Sequence, residues 1–127
     1  MKIETTILKN LLQNEDYARK VLPFLNDEYF TENSDKIIYN QINNFILKYN
    51  SLPNKEALNI ELSEAKITEE DFKESVNLIN EIGKDDQEFS DLSWLLDSTE
   101  KFCQDKAIYN AVVESISILD NPKSTTD

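Results

Sequence analysis

The sequence predicts an all-α fold, a small globular bundle of about six helices followed by a long C-terminal helix. The chain has a single Gly where average usage of about 7% would give roughly nine, so β-hairpin turns lack their usual residue. Apolar residues also recur at three- and four-residue intervals in successive segments, the period of amphipathic helices. A chain of 127 residues is long enough for one domain with one hydrophobic core.

The first two predicted helices precede Pro23. An apolar stripe marks the first of them, with members Ile3, Ile7, Leu8, Leu11 and Leu12. Asn14 or Asp16 is expected to cap the second helix, because short polar side chains accept from the free N–H groups of a first turn. Pro23 is expected to end it, and an aromatic-rich connector follows.

The third predicted helix is the central core helix. Asn33, Ser34 and Asp35 offer N-terminal caps for it. Its six apolar positions fall within an arc of roughly 120° at about 100° per residue. They are Ile38, Tyr39, Ile42, Phe45, Ile46 and Tyr49.

Two shorter helices are predicted next. Pro53 is expected just inside the start of the fourth, which then runs to about Ala65. Thr68 with Asp71 resembles a capping box that opens the fifth helix, and Gly83 is its expected C-cap. The inward positions of the fifth helix are Phe72, Val76, Ile79 and Ile82.

The last predicted helix, residues 91–120, changes its apolar face partway along. Before residue 104 the apolar residues lie on one side, whereas over residues 107–119 they cover about two thirds of the circumference. A helix that is apolar nearly all round is buried on several sides, and little chain follows to cover it. We expect it to pack against a second copy, a partner or further sequence. The alternative is that the preceding helices wrap it in one bundle.

The sequence predicts two sets of candidate interface residues. Those expected to mediate self-association are Ile108, Val112, Val113, Ile116 and Leu119. Those proposed to dock a partner are Trp94, Asp85, Asp86 and Glu88. Trp is enriched at interfaces, although burial of Trp94 in the core is an equally open interpretation. Cys103 is expected to be a core residue rather than a reactive thiol.

The net charge of −12 is unevenly placed. Residues 1–50 carry six basic and seven acidic side chains, whereas residues 51–127 carry seven basic and 18 acidic ones. Because nucleic-acid affinity comes mainly from Lys and Arg, direct DNA or RNA binding is not expected. The acidic surface is interpreted either as a solvated face or as a docking site for a basic partner.

The composition excludes most kinds of active site. With no His, one Cys and one Gly, the chain cannot form zinc thiolate or imidazole sites, Ser-His or Cys-His catalysis, internal disulfides or phosphate-binding loops. We therefore predict no catalytic, metal-binding or cofactor-binding residues. No signal peptide or membrane span is recognisable, and the chain is expected to be cytoplasmic.

Four segments carry a resemblance to a known family. They are VLPFLNDEYF (21–30), IIYNQI (37–42), SLPNKEALNIEL (51–62) and SWLLDSTEKFCQDKAIYNA (93–111). In this order and with these spacings, they resemble the N-terminal domain of DnaB-family replicative helicases, especially the hexameric members of T4-like bacteriophages. The resemblance extends from the first helix to Leu119.

This resemblance implies a helical body over residues 1–90, a long helix over 91–120 that continues into the first arm of a helical hairpin, and a polar tail over 121–127. In the family, paired hairpins form a ring collar that recruits primase. The implied partners are a second copy, a hexameric ring in the parent helicase, primase and a helicase loader. ATP and magnesium would belong to a downstream motor domain, so no cofactor is expected here.

One departure limits the transfer of detail. Bacterial members have a Gly after the first helical turns, where this chain has Lys9 and Asn10, so bacterial primase contacts are not carried over. The leading hypothesis is an oligomerisation and primase-interaction domain of a phage replicative helicase that is not itself an enzyme. The alternative is a free-standing acidic helical adaptor for a basic protein, and a small carboxylate enzyme is a third hypothesis.

Overall fold

A computed structural model describes residues 2–84 and 91–120 and confirms the all-α class. The helices in these ranges are α1 (Ile3–Gln13), α2 (Glu15–Val21), α3 (Asn33–Tyr49), α4 (Lys55–Ser63), α5 (Glu69–Ile82) and α6 (Leu92–Asp120). A single 3-10 turn, Asp27–Tyr29, lies between α2 and α3. No β-strand occurs within the described ranges.

Helix α1 lies at the centre of the body. It contacts α2, α3, α5 and α6, so its apolar stripe faces neighbours on several sides. Ile7, Leu8 and Leu11 are fully buried, as the sequence predicted. Helix α5 packs on α1, α3 and α4, and its Ile79 and Ile82 close the core from the opposite side.

Three of the predicted helix caps are confirmed. The Asn14 side chain accepts from the Tyr17 N–H at 3.1 Å, and the Thr68 hydroxyl accepts from the Asp71 N–H at 3.1 Å. Each bond satisfies an N–H group that has no partner inside its own helix. Gly83 is the C-cap of α5, and a Cβ there would lie 2.8 Å from the Ile79 carbonyl oxygen, so this close approach requires glycine.

The predicted start of α4 is wrong, and its end lies two residues before the predicted one. Pro53 lies outside the helix, because Asn54 is the N-cap and its side chain accepts from the Ala57 N–H at 2.7 Å. An Asn side chain provides the acceptor that Pro lacks. At the other end the chain leaves the α-helix after Ser63, and the Ala65 N–H bonds to Leu62 in a tighter 3-10 pattern.

Helix α3 also differs from its prediction at both ends. Glu32 is the N-cap and makes no side-chain capping bond, so the predicted caps Asn33, Ser34 and Asp35 lie within the first turn. At the C-terminal end, Tyr49 is half exposed because the helix extends past the core. Its ring instead packs on Phe45, with centroids 4.7 Å apart.

Ser75 provides a test of the packing between α5 and the core. Its hydroxyl is fully buried and has no hydrogen-bond partner. A buried hydroxyl without a partner is costly, and Ala is the better helix former. We expect Ser75→Ala to raise the free energy of unfolding by about 1 kcal/mol. Urea unfolding of the chain measures this free energy, and Ser63→Ala, at an exposed position, is the control. A Ser75→Ala variant that is less stable than the unaltered chain would contradict the prediction.

Candidate interaction surface on the C-terminal helix

The first turns of α6 place the predicted docking residue Trp94 at the surface. The Asp91 carboxylate caps the helix by accepting from the Trp94 N–H at 3.1 Å. The Trp94 side chain is 53% exposed, so its alternative placement in the core is wrong. The other docking candidates, Asp85, Asp86 and Glu88, lie outside the described residues.

The next turns of α6 belong to the core. Leu95, Phe102 and Cys103 are buried, and the Phe102 ring packs on Phe30 with centroids 5.7 Å apart. Burial raises the pKa of the Cys103 thiol to about 11, so the thiol is protonated at neutral pH. The prediction of a core cysteine is confirmed.

A buried pair of hydroxyl groups joins α6 to α2. The Thr99 hydroxyl donates to the Leu95 carbonyl oxygen at 2.7 Å, which uses its single proton. The Tyr17 hydroxyl, 2.6 Å from Thr99, is therefore the donor of the second bond. Burial raises the pKa of Tyr17 well above its ordinary value, so the phenol stays neutral and keeps this proton. This chain of bonds fixes the rotation of α6 on the body.

Asn110 makes the hydrogen bond to the body that lies farthest along α6. Its side-chain amide donates to the Glu28 carbonyl oxygen at 3.2 Å, in the 3-10 turn before α3. Residues 111–119 are all exposed. The helices that precede α6 therefore do not wrap its C-terminal part, and the single-bundle alternative is wrong.

This C-terminal part, residues 108–119, is here named the arm. Its large apolar side chains are 44% to 80% exposed: Ile108, Tyr109, Val112, Val113, Ile116, Ile118 and Leu119. Soluble proteins seldom leave a contiguous apolar surface of this kind without an interaction partner. All five side chains predicted for self-association lie on it, and Tyr109 and Ile118 extend it.

The arm turns its apolar face away from the body. At about 100° per residue, Ile108, Val112 and Ile116 fall within an arc of roughly 80°. Leu95, Thr99 and Asn110, which bond to or pack on the body, lie on a different side of the same helix. The polar strip of the arm, which includes Asn110 and Ser117, lies on the same side of α6 as the residues that pack on the body. A second helix could thus approach the arm without displacing the body.

A shallow groove of about 470 Å³ lies beside the start of the arm. Phe24 and Tyr29 form one wall, and Cys103 and Ala107 of α6 form the other. Phe24 is exposed although it belongs to the aromatic connector between α2 and α3. The groove therefore lies on a different side of α6 from Ile108, Val112 and Ile116, and polar Glu100 and Gln104 also line it.

The acidic surface is largely solvated. The acids of α4 and α5 are exposed or half-buried, and none of them forms an ion pair with another described residue. Within residues 2–84 and 91–120 no three acidic or thiol side chains are arranged to hold a metal ion. None of the helices there is long and apolar enough to span a membrane.

These features define an all-helical domain whose last helix carries an exposed apolar surface. Over 115 residues, or 91% of the chain, the sequence is 32% identical to a DnaB-like replicative helicase of Enterobacteria phage T4. The resemblance to DnaB-like replicative helicases is thus confirmed. The chain spans 24% of the length of that relative. No known protein-family profile matches it.

Proposed function

We propose that this chain is the oligomerisation and primase-interaction domain of a phage replicative DNA helicase. The observation that carries the proposal is the exposed apolar arm on a chain related to a replicative helicase over nearly its whole length. In this proposal ATP hydrolysis and DNA translocation belong to a motor domain outside the chain, and this domain binds no cofactor.

The spacing of the arm residues supports pairing with another helix. Tyr109, Val112, Ile116 and Leu119 are separated by three, four and three residues, the spacing of the apolar seam in a coiled coil. Ile108 and Val113 flank this seam and would widen the contact. A helix from a second copy offers the same residues, so a two-fold pairing would be self-complementary.

Partner proteins would bind elsewhere on the surface. Trp94 is exposed at the opposite end of α6 from the arm, and Trp is often an anchor residue at protein interfaces. We propose that primase, and a helicase loader if one acts, bind near this end while the arm is engaged with another subunit.

Sedimentation of the 127-residue chain over a wide range of concentration tests self-association. We expect the average mass to rise toward a dimer, because the arm offers three turns of apolar surface. A monomer at every concentration would contradict the oligomerisation part of the proposal.

Capture of the cognate primase tests the partner part separately. We expect the chain to retain primase, and Trp94→Ala to weaken that binding. Tyr49→Ala is the matched control, because Tyr49 is an equally exposed aromatic residue at the end of another helix. Equal losses in both variants, or no binding by the unaltered chain, would contradict this part.

A further inference from the structure

A cleft of about 850 Å³ opens where three helices meet on the face of the body. Lys2 and Thr5 line it from α1 and its N-cap, Ser34 and Asp35 from the start of α3, and Asn77 from α5. Four carboxylates reach this cleft: Glu32, Asp35, Glu74 and Glu81. They face one ammonium group, that of Lys2, so the cleft is strongly acidic.

Asp35 differs from the other acids in this cleft because it is buried. Only 6% of the residue is exposed, whereas Glu32, Glu74 and Glu81 are exposed. Within residues 2–84 and 91–120 its carboxylate forms no hydrogen bond or ion pair, and the nearby Lys2 ammonium acts on it only through its charge. A buried carboxylate without a partner is costly, and proteins usually pair such a group. The Asp35 carboxylate, which lines the cleft, is therefore available to a ligand that enters it.

We propose that the cleft binds the guanidinium group of an arginine side chain from a partner protein, with Asp35 as its main acceptor. A guanidinium carries several N–H donors in one plane and can bond one carboxylate while its other donors meet the exposed glutamates. The Ser34 hydroxyl and the Asn77 amide are further acceptors on the cleft wall.

Two other occupants fit the structure less well. Metal ions would need several ligands converging on one point, and no such group exists among the described residues. A second copy of this chain offers a single arginine, Arg19, which already bonds to Glu15 at 2.8 Å and to the Asn50 carbonyl oxygen at 3.1 Å. Arg19 of a second copy is therefore not the arginine that we propose for this cleft.

Titration with N-acetylarginine amide, followed by the backbone amide resonances of the 127-residue chain, tests the site. We expect saturable shifts at Ser34, Asp35 and Asn77, with a dissociation constant on the order of millimolar for this single side chain. Asp35→Asn should weaken binding about tenfold or more, as expected for loss of a charge-assisted hydrogen bond. N-acetyllysine amide should bind less tightly, and equal or tighter binding would overturn the assignment of a guanidinium.

Asp71→Asn is the matched control, because Asp71 occupies the same third position of α5 that Asp35 occupies in α3. It removes the same charge and should leave arginine binding unchanged. Glu81→Gln, an exposed position in the cleft, gives a second variant that should weaken binding without disturbing the core. No shifts in the cleft, or equal weakening by Asp71→Asn, would overturn the proposal.

The pH dependence of stability provides a readout in the absence of ligand. Burial raises the pKa of Asp35 above its ordinary value, Lys2 lowers it, and Glu4, Glu32 and Glu81 raise it further. The folded protein then binds this proton more tightly than the unfolded chain, so protonation stabilises the fold. Between neutral and mildly acidic pH, the thermal midpoint should rise relative to that of Asp35→Asn as the pH falls. If the thermal midpoints of the two proteins changed with pH in parallel, Asp35 would not be an unpaired buried carboxylate, and the proposal would be overturned.

Discussion

Val112→Asp is expected to abolish self-association of this chain. Val112 lies at the middle of the exposed apolar face of the arm, between Ile108 and Ile116. A paired helix would bury the new carboxylate without a cation or donor to meet it, at a cost of at least about 3 kcal/mol. That cost corresponds to a dissociation constant weaker by roughly a hundredfold or more. Sedimentation equilibrium of the variant and the unaltered chain measures it directly.

Ser117→Asp is the matched control for this experiment. Ser117 lies on the same exposed part of α6 but on the polar strip that continues the body-facing side. The two variants add the same charge, and a negative charge is less favourable at Ser117, in the last turn of α6, than at Val112. Greater dissociation of Val112→Asp would therefore be due to the contact. We expect Ser117→Asp to associate like the unaltered chain. Equal dissociation of both variants would show that charge near the helix end, and not the apolar face, controls assembly.

Phe102→Ala is expected to cost about 3–5 kcal/mol of folding stability, a typical loss for removal of a buried aromatic ring. The Phe102 ring is buried against Phe30, which in turn packs on Tyr39 with ring centroids 5.5 Å apart. Removing it leaves a cavity where α6 packs on the aromatic connector. Since small domains are stable by only about 5–15 kcal/mol, much of the total would be lost.

Urea unfolding followed by far-ultraviolet circular dichroism checks this value. Tyr109→Ala is the control, because it removes an aromatic ring from the same helix at a position that is exposed. We expect the control to change the free energy of unfolding of the monomer by less than about 0.5 kcal/mol. Similar losses in the two variants would mean that the Phe102 ring does not hold α6 to the body.

Local patterns were sufficient to predict most of the fold. Most of the stripe of α1, and Ile79 and Ile82 of α5, repeat at helical spacing, so their burial followed from period alone. Phe72 and Val76 are only half-buried, because α5 turns Ser75 and Leu78 into the core instead. Asn14 and Thr68 were recognisable as caps because a capping bond joins residues only three positions apart. Pro53 misled the prediction of α4, since the adjacent Asn54 is the stronger capping residue.

The candidate surfaces were predictable to different degrees. The arm could be predicted because its apolar residues cover most of the circumference of one helix, and such a helix needs a partner that buries it. The burial of Asp35 could not be predicted, because it depends on how three helices separated in the sequence meet around one carboxylate. In the sequence, Asp35 has only the pattern of a helix cap, as do Asn33 and Ser34.

The bond from Asn110 to the Glu28 carbonyl oxygen has a consequence for the geometry of any assembly. Helix α6 is continuous over 29 residues, about 43 Å at the usual rise, so its buried half and its arm share one axis. Pairing of two arms would therefore also set the direction in which each body projects from the pair. The length of helix beyond Asn110 would set how far apart the two bodies stand, and hence how wide an opening a closed set of such pairs could enclose.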